Sequence, residues 1–312
     1  LAKIAAELEQ ALARRVRDGA RGALASRLLA QGDGWTVEDV VCTCGPRDRP
    51  FEENHGCFRI AMVVAGTFEY RGTFGRELMT PGSLLLGNEG QNFECSHEHA
   101  SGDRCISFGY SAACFEPLAE GVGVKKPGAG FRRLRLPPVR EFASVAARVY
   151  ASLAERGHRS PRASQGWEEL SLQLAAAAIR LASDALLRAA SPPASSVARV
   201  TRAVRLIERD PSAVLPLGDL AFEAGLSRYH FLRTFELVTG LTPHRYVRRA
   251  RLRRAASRVA VGPEKITGIA LDTGFGDIAN FNHAFRAEFG LSPRAYRAQL
   301  GAVMNARFRS HE

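Results

Sequence analysis

The sequence predicts an α+β multidomain chain: a small β-barrel with flanking helices, then an all-α domain of two helix-turn-helix units joined by a long helix. Three observations lead there. Between Trp35 and Tyr110, runs rich in Val, Ile, Phe and Tyr (WTVEDVVCT, FRIAMVVAGTFEYRG, GSLLLGN, CISFGY) alternate with Gly, Pro and Asn turns, the pattern of a small all-β sandwich or barrel. PPVREFASVAARVYASLAERG and GWEELSLQLAAAAIRLASDALLRAA carry helical spacing. Beyond a Pro/Ser-rich break, one stretch of sequence occurs twice.

In chain order, residues 1–34 form an N-terminal helical segment with apolar residues at helical spacing. Residues 35–118 form the barrel. Residues 119–190 hold a Gly-rich spacer and two helices that pack or dimerise. SPPASS, 191–196, is a linker by composition. Residues 197–299 form the helical domain and 300–312 a tail.

At 312 residues with 46% hydrophobic composition, the chain can build two cores. No apolar run approaches the roughly 20 residues that cross a bilayer. The N-terminus also lacks the uncharged apolar stretch of a secretory signal. A soluble cytoplasmic protein with no membrane partner is therefore expected. The net charge is +11, and residues 195–312 carry 19 Lys/Arg against 10 Asp/Glu. Positive charge gathered in one domain is the footprint of a polyanion binder, with a solvated basic face as the alternative. All six cysteines lie at or before Cys114, and in the cytoplasm they are expected as thiols.

The duplication is the most informative feature. LAFEAGLSRYHFLRTFELVTGLTPHRY (220–246) matches IALDTGFGDIANFNHAFRAEFGLSPRAY (269–296), the second copy having one extra residue in its turn. Each copy reads as a helix-turn-helix. Small Ala221 permits close helix approach, Gly225 ends the first helix, and Ser227 caps the second. Phe231 and Phe235 face inward, and Pro243 suits the first turn of the next helix. TPHRYVRRARLRRAASRVAV is a basic helix that joins the copies and fixes their spacing.

On these residues, 197–299 resembles the AraC/XylS family of bacterial transcriptional regulators. The signature runs through most of ALDTGFGDIANFNHAFRAEFGLSPRAYR and LSRYHFLRTFELVTGLTPHRYV. The resemblance implies two recognition helices, about 227–238 and 277–288, entering successive major-groove segments of double-stranded DNA. Arg228, Tyr229, Leu232 and Arg233 of the first would face DNA, Arg233 reading guanine or clamping a phosphate. Asp277, Ile278, Asn280, Asn282 and His283 of the second would face it too, with Arg286 nearer phosphate. Asn280 or Asn282 would read adenine, with solvation of the helix face as the alternative for either, and Tyr229 has packing on the domain as its alternative. His283 departs from the arginine common in the family, which lowers the second unit's charge.

Ahead of that domain, FRIAMVVAGTFEYRG and ELMTPGSLLLGNEGQNFEC resemble the cupin-like sensor barrel of such regulators. The resemblance implies effector binding there and a homodimer through nearby helices, 137–157 and 163–190, with packing on the barrel as the alternative. RNA polymerase is a partner if the protein activates. FECSHEHASGDRC raises a separate question. Along a strand Cys95, His97 and His99 share a face, and a hairpin through ASGDR would return Cys105 to them. Cys/His ligands suit Zn²⁺ or another transition metal. Thiol redox sensing and a plain structural loop stand beside metal binding. Cys42 with Cys44, and His55 with Cys57, are also pairs two residues apart. The cupin metal motif is not cleanly present.

A DNA-binding transcriptional regulator controlled by an effector, metal or redox signal is the expected function, and no catalytic residues are expected. The alternatives are a cupin-type metal-dependent enzyme with a nucleic-acid-binding appendage, and a cysteine-based DNA-alkyl acceptor that also regulates, resting on Cys42 and Cys44.

Overall fold

The computed structural model describes residues 2–98, 100–124, 130–154, 161–184, 192–261 and 263–299. Helix α1 (Ala2–Asp18) precedes nine strands: β1 (Leu24–Gly32), β2 (Trp35–Cys42), β3 (Phe51–Asn54), β4 (Phe58–Gly66), β5 (Phe68–Gly72), β6 (Gly75–Met79), β7 (Leu84–Gly87), β8 (Asn92–Ser96) and β9 (Asp103–Tyr110). Then come α2 (Ala112–Gly121), a short strand β10 (Arg135–Leu136), α3 (Ala143–Ala154) and α4 (Pro161–Asp184). The strands form two antiparallel sheets, in the orders β1-β2-β9-β4-β7-β10 and β3-β8-β5-β6.

Strand alternation divides the larger sheet between two cores. Phe58, Ile60, Met62 and Val64 of β4 point to the helices, where Trp167, Leu170, Leu174 and Ala178 of α4 cover them. Ala61 and Val63 point the other way and meet Phe68, Tyr70, Met79 and Cys95 of the second sheet. Arg104 of β9 is fully buried and grips Asp39 of β2 with two 2.8 Å bonds. It also pairs with Glu7 of α1 at 2.6 Å. Burial pushes the Asp39 carboxyl up, but Arg104 and Arg27 hold it below its usual range.

Several expectations are corrected here. Residues 24–32, read as helical, form β1. Ala and Leu favour helix locally, but the two-residue Asp33-Gly34 turn, with Gly34 at φ 74°, folds this segment back on β2. The spacer region contributes β10, which pairs with β7. The linker ends early, because α5 (Ala194–Arg209) begins inside it. Cys95 and Cys105 do not sit on one hairpin: β8 and β9 lie in different sheets, and 97–102 crosses between them. The tail, 300–312, lies outside the described residues.

The C-terminal domain continues with α6 (Leu217–Glu223), α7 (Arg228–Thr239), α8 (Pro243–Val261), α9 (Ile266–Asp272) and α10 (Ile278–Phe289), then a helical segment over 293–299. It is docked on the first domain at two places. Leu78 of β6 enters the core of α5, α6 and α7. Ala143 and Ala147 of α3 enter the core of α8, α9 and α10.

His55 shows what burial does between the sheets. It stacks on Phe93 at 4.1 Å and hydrogen-bonds the Tyr70 hydroxyl at 2.7 Å. Burial, with a smaller push from Arg59, lowers its pKa to about 4. The unfolded chain takes up this proton near the ordinary value of 6.5 and the folded chain only near 4. The stability this neutral imidazole retains is full above pH 6.5 and declines as pH falls toward 4, by about 3 kcal/mol. Urea unfolding at stepped pH should show this decline, and His55→Gln should flatten it.

Candidate nucleic-acid interface

The two helix-turn-helix units are built on the same local rules. Ser227 caps α7 by accepting from the His230 N–H at 3.4 Å, and Asp277 caps α10 by accepting from the Asn280 N–H at 2.6 Å. Gly240 and Gly290 end these helices in the left-handed conformation, at φ 76° and 77°. Phe231, Phe235 and Tyr246 fill the first core, and Phe281, Phe285 and Tyr296 the second. The Phe235–Tyr246 and Phe285–Tyr296 pairs are edge-on at 5.6 and 5.3 Å.

With these faces buried, the others are set. Arg228, Tyr229, Leu232 and Arg233 are exposed on α7. Asp277, Ile278, Asn280, Asn282, His283 and Arg286 are exposed at or on α10. Tyr229 is 65% exposed although aromatic. The Arg233 guanidinium lies 5.9 Å from its ring centre, so the two side chains form one exposed cationic and aromatic surface. Arg228 lies over Gly218, where a Cβ would come within 3.0 Å of the guanidinium. Asp277 is engaged in capping, so a backbone N–H already occupies one of its carboxylate oxygens.

The basic joining helix α8 links the two units. Most of its arginines are turned to protein partners. Arg249 pairs with Glu288 at 3.1 Å, Arg253 with Glu208 at 2.6 Å and Arg254 with Asp210 at 3.1 Å. Arg258 pairs with Glu264 and with Asp272. Arg251 donates to Pro211 O, Gly274 O and Ala213 O at 2.7, 2.7 and 3.0 Å. Its guanidinium thus ties the α5–α6 loop of the first unit to the turn of the second. Arg202 of α5 donates to Ala224 O at 3.3 Å, and Arg199 to Gly225 O at 2.7 Å, at the turn of the first unit. Arg202 and Arg251 stand 49 residues apart, the offset that relates Gly225 to Gly274. The duplication therefore reaches back into the helix before each unit, and this spacing was a signal the sequence reading missed.

The sensory residues of the sequence reading part company. His99 lies outside the described residues. Cys95 and Cys105 are buried together between the sheets. His97, beyond the end of β8, shares a 2.7 Å hydrogen bond with Asp103, and Cys105 Sγ donates to the other Asp103 oxygen at 3.3 Å. Among the described residues, the group whose ligand atoms lie within 4.8 Å of one another is Cys42, His97 and Asp103. Cys95 and Cys105 are outside it. Burial, reinforced by the Asp103 charge, pushes the thiols of Cys42, Cys95 and Cys105 up. Protonated, buried thiols are poor nucleophiles, which weighs against both redox sensing and alkyl acceptance by Cys42.

Two exposed recognition helices on a repeated, internally braced scaffold define a tandem helix-turn-helix domain. Residues 220–299 match the family model described as a helix-turn-helix domain. This chain is 38% identical over 86 residues to the HTH-type transcriptional activator RhaS of Klebsiella pneumoniae, covering 28% of this chain and 31% of that one. It is 33% identical over 78 residues to the HTH-type transcriptional regulator MtrA of Neisseria gonorrhoeae, covering 25% and 26%. A solved AraC-type DNA-binding regulator from Chromobacterium violaceum is 32% identical, covering 35% of this chain and 96% of that one, with a TM-score of 0.33. The C-terminal domain is a helix-turn-helix domain. The match spans about a third or less of the length of these curated relatives.

Arg251→Met should leave three carbonyls without their donor, a loss of about 1–3 kcal/mol in chemical unfolding of the C-terminal domain. Arg251→Lys should recover little, because an ammonium lacks the planar fork that reaches three acceptors.

Proposed function

We propose that this protein is a sequence-specific transcriptional regulator that grips double-stranded DNA with both recognition helices and is controlled through its N-terminal β-domain. The observation that carries the reading is the pair of exposed helix faces, Arg228/Tyr229/Leu232/Arg233 and Ile278/Asn280/Asn282/His283/Arg286, held in fixed relation by Arg251. The relatives named as a transcriptional activator and a transcriptional regulator support it. Base reading falls to Arg233 and to Asn280 or Asn282, whose amides pair with adenine edges. Arg286 and the exposed Arg245 and Arg248 serve the phosphates.

Control from the N-terminal domain has a mechanical basis. Arg135 of β10 donates to Thr239 O at 3.0 Å and Val238 O at 2.8 Å, at the end of the first recognition helix. Arg249 of α8 donates to Pro138 O. A signal that shifts the cupin-like sensor would thereby move both units against DNA. The protein acts in the cytoplasm as a binding protein rather than an enzyme, with RNA polymerase as partner where it activates. The apolar faces of α3 and α4 pack within the chain, α4 on β4 and α3 on α8, so these faces are not its dimer contact. Among the described residues no helix is long and apolar enough to cross a membrane.

Selection of binding sites from a random duplex library tests the reading. Recovery of one preferred site is expected, and binding without sequence preference would overturn it. On that site, Arg233→Ala should weaken binding by about 1–3 kcal/mol and relax preference at one position. Uniform weakening with a salt slope reduced by about one would mark a phosphate contact instead. Arg135→Ala should raise amide exchange over 238–242 and change affinity for the selected site although Arg135 touches no DNA.

A further inference from the structure

At the β2–β9 end of the larger sheet, three chemically distinct side chains converge. Cys42 ends β2 and Asp103 begins β9, and they are direct cross-strand partners. Their side chains share the face that looks toward the second sheet. His97 reaches the same point from the segment that crosses between the sheets. The three are 1%, 5% and 4% exposed.

We propose that Cys42, His97 and Asp103 form a binding site for a borderline-soft divalent metal of the zinc type. One ligand atom from each lies within 4.8 Å of the other two. A thiolate, an imidazole and a carboxylate are a donor set that Zn²⁺ accepts, and three protein ligands leave a fourth position for water or a further thiol. Cys105, whose Sγ bonds Asp103 Oδ1 at 3.3 Å, lies outside this group. On binding, the ion replaces the His97–Asp103 hydrogen bond, the imidazole proton passes from Nε2 to Nδ1, and the Cys42 thiol proton leaves to solvent.

The backbone around the group is held tightly. A Cβ on Gly66 would lie 2.3 Å from Gly102 O and 2.6 Å from the Asp103 Cα. A Cβ on Gly102 would lie 2.9 Å from Cys42 O. The strands that carry two of the ligands are therefore in close, fixed approach. Beside His97, the Ser96 hydroxyl is buried with no hydrogen-bond partner among the described residues. An ordinary buried polar cluster satisfies such groups. His97 and Ser96 also line a small crevice with Val197 and Thr201 of α5, so the site adjoins the seam between the two domains. The rival is a metal-free His97–Asp103 pair.

The test uses the tag-free full chain, reduced and purified without chelator, titrated with Co²⁺ and then Zn²⁺. The expected result is one Co²⁺ per chain with a sulfur-to-cobalt charge-transfer band, displaced by Zn²⁺. Cys42→Ser should abolish the band. His97→Gln should weaken binding at least tenfold, and Cys114→Ser, outside the group, should leave both unchanged. Absence of saturable binding by the folded wild-type chain, or a band that survives Cys42→Ser, would overturn the site. Should the variants fail to fold, X-ray absorption at the zinc edge of the wild-type protein decides. At least one sulfur with nitrogen or oxygen neighbours supports the site, and an all-nitrogen/oxygen shell overturns it. Mobility shifts on the same samples report DNA binding separately, so neither result depends on the other.

Discussion

Two recognition helices can act as one instrument only if the helix between them does not bend or rotate, and inward-turned arginines meet that requirement. Arg251 holds carbonyls from both units at once, while Arg253, Arg249 and Arg258 pair with acids contributed by neighbouring helices. A guanidinium offers five donors in a rigid plane. One residue can therefore satisfy several buried carbonyls at helix ends and turns that would otherwise lack partners. The aromatic trios Phe231/Phe235/Tyr246 and Phe281/Phe285/Tyr296 then have only to fill each unit, because the orientation between units is already set.

The same chemistry extends across the domain boundary. Arg135 satisfies the last carbonyls of α7, and the left-handed Gly240 at that terminus sits where a Cβ would strike Pro137 at 2.7 Å. The end of the first recognition helix is thus shaped by the N-terminal domain as well as by its own sequence. The second unit is seated through small residues, Ala143 and Ala147 of α3, which allow close packing against α8. Both halves of the DNA-binding domain accordingly feel the position of β10 and α3. The buried polar group of Cys42, His97 and Asp103 lies at a different part of this seam, beside α5.

The exposed faces of α7 and α10 were legible in the sequence. Glycine turns, Ser227 as cap and the Phe/Tyr periodicity decide which residues of a short amphipathic helix are buried. The remaining face, Arg228 to Arg233, follows by exclusion. Asp277 is the exception, since its carboxylate both caps α10 and stands at the exposed end. A count of arginines in α8 carries no information on their partners. Five acids, Glu208, Asp210, Glu264, Asp272 and Glu288, pair with four of them. The cysteine/histidine stretch misled for a related reason. Alternation along β8 correctly suggests shared faces, but not which sheet the next strand joins.

The sequence by itself determined the local machinery: the duplicated helix-turn-helix, its caps, its inward aromatics and the two-part division of the chain. Each of these depends on residues within a turn or two of one another, where backbone sterics and side-chain periodicity suffice. Tertiary structure alone decided the rest. It made residues 24–32 a strand, because a hairpin partner outweighed helix propensity. It gave Arg249, Arg251 and Arg253 of the joining helix partners on other elements, and it placed Cys42 beside His97 and Asp103 instead of uniting Cys95 with Cys105 around His97. All three outcomes depend on contacts between distant segments, and local sequence places no constraint on which segments will meet.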